Sequence, residues 1–327
     1  MGDSSPFRQG GAWPLVSIGL PVFNGEGMVG AALESLIGQT YEEIEIIICD
    51  NRSTDGTPEI CREMAGKDPR VSFHTSEVNR GAAWNFNRAF KLARGPLFKW
   101  AAHDDLCHPR FIQECVGALM RDPGIVLCHS RSDELDSRGA FLRHLHCPTG
   151  VNLERRSQRF GSVVLEWHAS IPIFGVIRSQ VLRETRLIEG YVGSDWVLLC
   201  HLALIGRFHE VPEVLFWRTE HEQTSQNAFD LSERLEWFDT SRAGAIDLPN
   251  WRMALELFKT VRRADLTPTE RDESFRVLCS YLFERSGGFR RDLFEAAKAL
   301  LRRSPRGARL VDRLKRFYHS HPSLHRV

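Results

Sequence analysis

The chain has 327 residues, of which 42% are hydrophobic and 26% charged, and its formal net charge is +1. That is the composition of a globular protein with length for one large or two modest domains, and the charge gives the whole molecule no bias toward nucleic acid. No apolar run reaches the roughly 18 residues that a membrane span needs, and the opening MGDSSPFRQGG lacks the apolar stretch of a signal peptide.

Short apolar runs and longer amphipathic segments alternate through the first half. Val16 to Leu20 reads as a strand, and Pro21 and Gly25 mark a loop after it. Met28 to Ile37 has helical spacing, with Val29, Leu33, Leu36 and Ile37 on one face. Ile44 to Cys49 is a more buried strand, followed by the polar loop Asp50 to Gly56. Thr57 suits an N-cap, with Pro58 at the first helical position and Glu59 in the first turn. Val71 to Phe73 reads as a strand, Ala82 to Ala93 as a helix ending before Gly95-Pro96, and Leu97 to Ala101 as a strand running into Asp104. Pro109 to Met120 is helical and Ile125 to Cys128 is strand again. Such alternation predicts an α/β fold with βαβ units and a mostly parallel sheet flanked by helices.

The pattern changes after Asp133. From there to Gly161 the chain is polar and weakly periodic, which predicts loops and a small antiparallel excursion. Ile173 to Ile177 reads as a strand, Asp195 to Leu204 as a helix, and Phe208 to Val211 and Val214 to Trp217 as two strands flanking Pro212. Beyond Phe229 only helical patterns remain. The expected division is a flexible terminus over 1–13, an α/β domain over 14–228 and a mainly α-helical extension over 229–327.

Charge follows this division. From Phe289 to the end, eleven Lys and Arg face three Asp and Glu, so a basic segment follows an acidic body. The eight cysteines form no CxxC pair, so buried free thiols in a reduced, cytoplasmic protein are expected. A zinc site built on Cys107 and His108 is the weaker alternative.

The strongest chemical signal is Asp104-Asp105, at the end of the run Phe98-Lys-Trp-Ala-Ala-His103. A strand that ends in adjacent carboxylates puts negative charge at the carboxyl edge of a sheet, where open α/β sheets bind ligands. A divalent cation holding a diphosphate would relieve the repulsion between them. The loop Pro21-Val-Phe-Asn-Gly-Glu-Gly27 allows close backbone approach but does not match GxGxxG; on its own it fits an ordinary turn equally well. In the second loop Asp50 has the chemistry to accept bonds from a nucleobase, while Asp55-Gly56 is turn chemistry.

In order and spacing, PVFNGEG, CDNRSTDGT, NRGAAWNFNRAF and FKWAAHDD resemble the family 2 glycosyltransferases of bacterial type over about residues 14–226. These are inverting enzymes of the GT-A, Rossmann-like fold that use nucleotide-diphospho-sugars. The resemblance implies a nucleotide-binding half over 14–130 and an acceptor half over 131–228. It implies that Pro21, Phe23, Asn24 and Glu26 line the nucleotide, that Asp50 contacts the base, and that Arg80 and Asn87 border the diphosphate. His103 and Asp104 complete the nucleotide site; Asp104, Asp105 and His221 would hold Mn2+ or Mg2+. The family often reads Asp-Ala-Asp-Asp where this chain reads Ala102-His-Asp-Asp105, so Ala102 replaces the first carboxylate. Asp195 would be the catalytic base, with an N-cap role for it or Ser194 as the alternative. Trp196 would stack on a sugar or sit in the core, and Arg218 and Gln223 would reach phosphates.

The implied reaction moves a hexose from a nucleotide-diphospho-sugar to a hydroxyl of a glycan or lipid-linked acceptor, as in polysaccharide biosynthesis. A nucleotidylyltransferase is disfavoured because PVFNGEG carries no Lys or Arg. A non-catalytic sugar-nucleotide-binding protein has only Ala102 in its favour. In the tail, Leu310, Val311, Leu314, Phe317 and Tyr318 can share one helix face, with Arg309, Arg313, Lys315 and Arg316 on the others. Such a helix would rest on the inner face of a membrane, or pack on its own domain or a homodimer partner. No nucleic-acid platform is expected.

Overall fold

The computed structural model describes residues 13–166, 169–222, 224, 231–302, 304 and 309. The first half alternates as expected: β1 (Val16–Val22), α1 (Val29–Ile37), β2 (Ile44–Asp50), α2 (Thr57–Lys67), β3 (Val71–Thr75), α3 (Ala82–Leu92), β4 (Leu97–Trp100), β5 (Leu106–Cys107) and α4 (Phe111–Arg121). There follow β6 (Ile125–Asp136), β7 (Phe141–Leu145), α5 (Arg156–Leu165), β8 (Val176–Arg178), α6 (Ser179–Arg183), α7 (Ser194–Ile205) and β9 (Arg207–Glu220). Then come α8 (Leu231–Phe238), α9 (Pro249–Arg263), α10 (Pro268–Glu284) and α11 (Ser286–Arg302).

Among the described residues the strands form one sheet in the order β3-β2-β1-β4-β8-β6-β9-β5, with β7 paired to β6. β3, β2, β1 and β4 are mutually parallel, so the loops after all four open at one edge. β8 joins antiparallel to β4 and β6, β6 and β9 run parallel, and β5 closes the far edge antiparallel to β9. The sheet is covered on both faces. Along β4, Phe98 and Trp100 enter the core shared with α3, α5, α7, α9 and α10, while Leu97 and Ala101 enter the core shared with α1 and α4. This is the period-2 alternation of a strand buried on both sides. Leu257, Leu278 and Tyr281 lie in the same cluster as Phe160, Leu199 and Cys200, so the helical extension is packed onto the α/β body.

Several expectations need correction. Thr57 does not cap α2: its hydroxyl accepts the Gly25 backbone N–H at 2.8 Å, and Gly56 stands at the cap position. Arg156–Leu165 is a helix, where loops were expected, and the strand expected over Ile173 to Ile177 begins only at Val176, after a 3-10 turn over Ile171–Phe174. β6 continues to Asp136, and its pairing with β7 is the antiparallel excursion. Pro212 interrupts nothing: β9 is one strand, and its register on β6 shifts between Ser130 and Arg131, where the proline falls. Seven of the cysteines are buried free thiols, but Cys279 is exposed. Residues 1–12, Gln223 and the tail residues Leu310 to Tyr318 lie outside the described residues.

Candidate active site

Four loops meet at the carboxyl edge of the parallel strands. The first and second are zipped together. Asn24, at φ 52, donates its backbone N–H to Ser53 Oγ at 2.8 Å, and its side-chain oxygen accepts the Thr54 N–H at 2.9 Å. Glu26 donates its N–H to Asp55 at 3.1 Å and accepts the Gly56 N–H at 3.0 Å. Asn24 and Glu26 thus spend polar groups on the neighbouring loop, while Phe23 stays 36% exposed at the rim. Gly25 is demanded by a close approach: a β-carbon there would lie 2.5 Å from His103 Cδ2. The His103 ring therefore lies against the first loop.

Asp50 is turned inward. It is 1% exposed, and its oxygens accept the Ser53 N–H at 3.1 Å and the Thr75 hydroxyl at 2.9 Å. The expectation that its carboxylate meets a base is thus set against two internal bonds. Its neighbour Asn51 ties the second loop to the third: its amide donates to Asn79 Oδ1 at 2.8 Å and its oxygen accepts the Arg80 N–H at 3.2 Å. The Arg80 guanidinium lies 4.9 Å from the Trp84 ring centroid, on the exposed side of the third loop.

Of the two asparagines on α3, Asn87 exchanges bonds with the Ile188 backbone at 2.7 and 3.1 Å, so its side chain positions the segment ahead of α7. Asn85, which sequence reasoning passed over, is buried and donates to Cys49 O at 2.6 Å, at the end of β2. The only advance signal was its place two residues before Asn87.

The fourth loop carries the carboxylates. β5 pairs antiparallel to β9, with Leu106 opposite Trp217, so the residues before β5 meet those at the end of β9. His221 Nε2 lies 3.0 Å from Asp104 Oδ2, and Asp105 Oδ1 accepts the Thr219 N–H at 3.1 Å. Burial pushes the Asp104 carboxyl up, but the bond to His221 and the adjacent His103 and His221 charges outweigh it, and the net direction is down. Burial and then the Asp104 charge push Asp105 well above the ordinary carboxylate range, against the Thr219 N–H, Arg218 and Lys99.

Lys99 was not anticipated as part of this site. It is fully buried, donates to Phe174 O and lies 4.6 Å from the Phe111 ring centroid. Arg218 faces Glu134 and Glu220, each at 3.6 Å, so its charge is directed to carboxylates and not held open for phosphate.

A divalent cation suits the Asp104–His221 pair. Adjacent ligands at about 2.1 Å in an octahedral shell stand roughly 3.0 Å apart. The 3.0 Å between Nε2 and Oδ2, which is also the length of the hydrogen bond they share, is compatible with that spacing. A dication would also relieve the raised Asp105. A nitrogen ligand beside oxygen suits Mn2+ slightly better than Mg2+.

Asp195 lies in the first turn of α7. Gly193 opens the helix at φ 87, and a β-carbon there would meet Met253 Sδ at 2.5 Å. Burial raises the Asp195 carboxyl above its ordinary value, against bonds from the Trp196 and Asp195 N–H groups and the Ser170 hydroxyl. Ser170 precedes the turn whose Phe174 carbonyl holds Lys99, so one short segment borders both carboxylate sites. Trp196 takes the core role: its ring nitrogen donates to Val163 O at 3.1 Å and its ring packs on Tyr281 at 5.6 Å.

Comparison with known proteins gives a consistent result. A family model described as glycosyl transferase family 2 matches residues 17–185. The chain is 27% identical over 227 residues to the chondroitin synthase of Escherichia coli, covering 67% of this chain and 31% of that one. It is 23% identical over 214 residues to the hyaluronan synthase of Pasteurella multocida, covering 64% of this chain and 21% of that one. It therefore spans about a third or less of the length of these relatives. The S. aureus TarS 1–349 structure in complex with UDP-GlcNAc superposes with a TM-score of 0.63 at 17% identity, covering 89% of this chain and 82% of TarS 1–349. The mannosyltransferase PcManGT from Pyrobaculum calidifontis, in complex with GDP-Man and Mn2+, gives 0.53 at 16% identity, covering 95% and 82%. At these identities the two likenesses speak to the fold, which is the α/β GT-A architecture with a helical C-terminal region.

Proposed function

Since the chain belongs to glycosyl transferase family 2, we propose that it transfers a sugar from a nucleotide-diphospho-sugar to a hydroxyl of a glycan or lipid-linked acceptor, with inversion at the anomeric carbon. The observation that carries this reading is the meeting of Asp104 with His221 at 3.0 Å beside the loops of the parallel edge. The complexes of TarS with UDP-GlcNAc and of PcManGT with GDP-Man support a nucleotide-sugar donor.

Asp104 and His221 would hold Mn2+ or Mg2+ for the donor diphosphate, with Asp105 adding negative charge beside them. That cation, when bound, neutralises charge on the leaving group. The first loop, with Phe23 and the His103 ring, borders the nucleotide; Pro21, expected in that loop, is instead a buried residue of β1 paired with Cys49. Asp50, Asn51 and Arg80 shape the second and third loops around it. Asp195 accepts the proton of the attacking acceptor hydroxyl. Its raised affinity for a proton suits that task, since a stronger base abstracts more readily. One displacement then inverts the centre, through an oxocarbenium-like transition state.

The test is a panel of nucleotide diphosphates and nucleotide-sugars with Mn2+, read as thermal shift and as release of free nucleotide diphosphate. Release of the diphosphate with a sugar acceptor supports transfer. Release of inorganic pyrophosphate from a nucleoside triphosphate and sugar phosphate would instead point to a nucleotidylyltransferase.

We further propose that the basic segment after Phe289 rests on an anionic membrane surface, where lipid-linked acceptors reside. Leu293, Phe294, Leu300 and Leu301 on α11 are exposed apolar residues that support it. Among the described residues no helix is long and apolar enough to cross a membrane. Deleting the residues after Ser304 together with Phe294→Ser and Leu300→Ser, and measuring co-sedimentation with phosphatidylglycerol vesicles, tests this; unchanged sedimentation of that variant removes the proposal and leaves packing on a second copy to be examined.

A further inference from the structure

We propose that His129, Cys147 and Glu210 form a second, structural metal site that takes a borderline transition-metal dication, with Zn2+ as the best match. Their ligand atoms all lie within 4.8 Å of one another, and among the described residues they are the group of His, Cys and acidic side chains gathered in this way. The three come from different segments. His129 is on β6, Glu210 faces it across the parallel ladder on β9, and Cys147 lies just after β7.

The sheet register brings the first two together. His129 and Glu210 are direct partners, and the register shift follows one pair later, after Ser130 and Val211. Bulges of this kind re-aim side chains at sites. The imidazole is also set for ligation. His129 Nδ1 lies 3.1 Å from Ser130 O, and a carbonyl can only accept, so Nδ1 carries the hydrogen. In the neutral ring Nε2 then carries the lone pair, the arrangement that orients a ligating histidine.

The donor set selects the ion. A thiolate and a carboxylate balance a 2+ charge, and a sulfur ligand disfavours Mg2+ and Ca2+. Tetrahedral zinc ligands at about 2.0–2.3 Å stand roughly 3.3–3.8 Å apart, so side-chain rotation within the observed cluster closes the shell. His129 and Cys147 are buried, and Glu210 is exposed, so the ion enters and takes a water ligand from the Glu210 side. Arg131, 3.6 Å from Glu210, is 61% exposed and forms a weak pair that a dication displaces.

The location argues for a staple and not for sugar chemistry. Glu210 and Glu220 stand ten residues apart on one strand. At about 3.3 Å per residue, that puts roughly 30 Å between this site and the Asp104–His221 pair. A bound ion would clip β6, β9 and the chain leaving β7.

Titration of the full, metal-stripped chain with Co2+ tests this. The expected result is one equivalent giving a thiolate-to-cobalt charge-transfer band, which Asp104 and His221 cannot produce because that pair holds no sulfur. Cys147→Ser removes the band, and Glu210→Gln, at the exposed rim, lowers Co2+ affinity at least tenfold while Zn2+ ceases to raise Tm. A folded chain with no such band, or a band that survives Cys147→Ser, overturns the site. If Cys147→Ser does not fold, unchanged Co2+ affinity in Glu210→Gln overturns it.

Discussion

Asp104 and His221 are 117 residues apart in the chain and 3.0 Å apart in space. The antiparallel pairing of β5 with β9 brings them together, and on their closeness rests the proposed cation site. His221→Ala is expected to remove the Mn2+-dependent part of nucleotide diphosphate affinity, a loss of about tenfold or more, and to leave the metal-free affinity unchanged. Asp104→Ala should do the same. Calorimetry with and without Mn2+ checks both; equal losses in the two conditions would assign the residues to the nucleotide itself.

Asp195→Asn should lower kcat by about a hundredfold to ten-thousandfold, the usual contribution of a general base, with donor affinity held. The raised carboxyl makes a second, independent statement. A folded-state pKa above the unfolded value means that this group contributes stability at low pH and loses it as pH rises through the folded value. At neutral pH the ionised form is therefore a burden on the fold. The Asn variant should melt at the same temperature or higher at pH 7, while transfer falls; a marked drop in Tm would point to a structural cap.

The proposed base role also predicts the acid limb of the rate profile. With Asp195 as the proposed base, transfer would need its deprotonated carboxylate, so kcat/KM should fall as pH drops through a value above that of an ordinary aspartate. A profile flat down to the ordinary carboxylate range would remove Asp195 from the base role.

Gly193 sits at φ 87 with Met253 Sδ in the space of a β-carbon. Gly193→Ala should destabilise the protein by about 1–2 kcal/mol from the backbone alone. Shortening Met253 to Ala removes the clash but not the backbone strain, so the double variant should keep most of that penalty relative to Met253→Ala. Urea unfolding of the four-variant cycle measures it.

Asn85→Ala leaves the Cys49 carbonyl without its 2.6 Å donor inside the core. A loss of about 1–3 kcal/mol in urea unfolding is expected. Asn85→Asp should be no better, since a carboxylate oxygen cannot donate to that carbonyl.

Much of the first half was legible because its strands are apolar and its turns carry Gly, Pro and Asp. The second half hid for physical reasons. Past Cys128, β6 turns Ser130, Ser132 and Glu134 inward, so a buried face reads as a polar loop. Glu134 is tolerated there because Arg143 and Arg218 approach it at 2.6 and 3.6 Å. Similarly, α5 buries Arg159, whose guanidinium is satisfied by the carbonyls of Ala203, Leu153 and Glu154, so its charge masked a core helix. The motif order marked Asp104, Asp195 and His221, but spacing alone carried no sign of the bond between the first and the last. Nor did it show that Asp50 and Asn87 would be held by internal bonds.

The reciprocal zip between the first two loops has a thermodynamic consequence. Fixing one residue of a free loop costs about 1–2 kcal/mol in conformational entropy. Here Asn24 and Glu26 have already been fixed, during folding, by Ser53, Thr54, Asp55 and Gly56. A ligand arriving at this edge would meet a surface set in advance, so its affinity would be drawn from contacts and not consumed in ordering the chain.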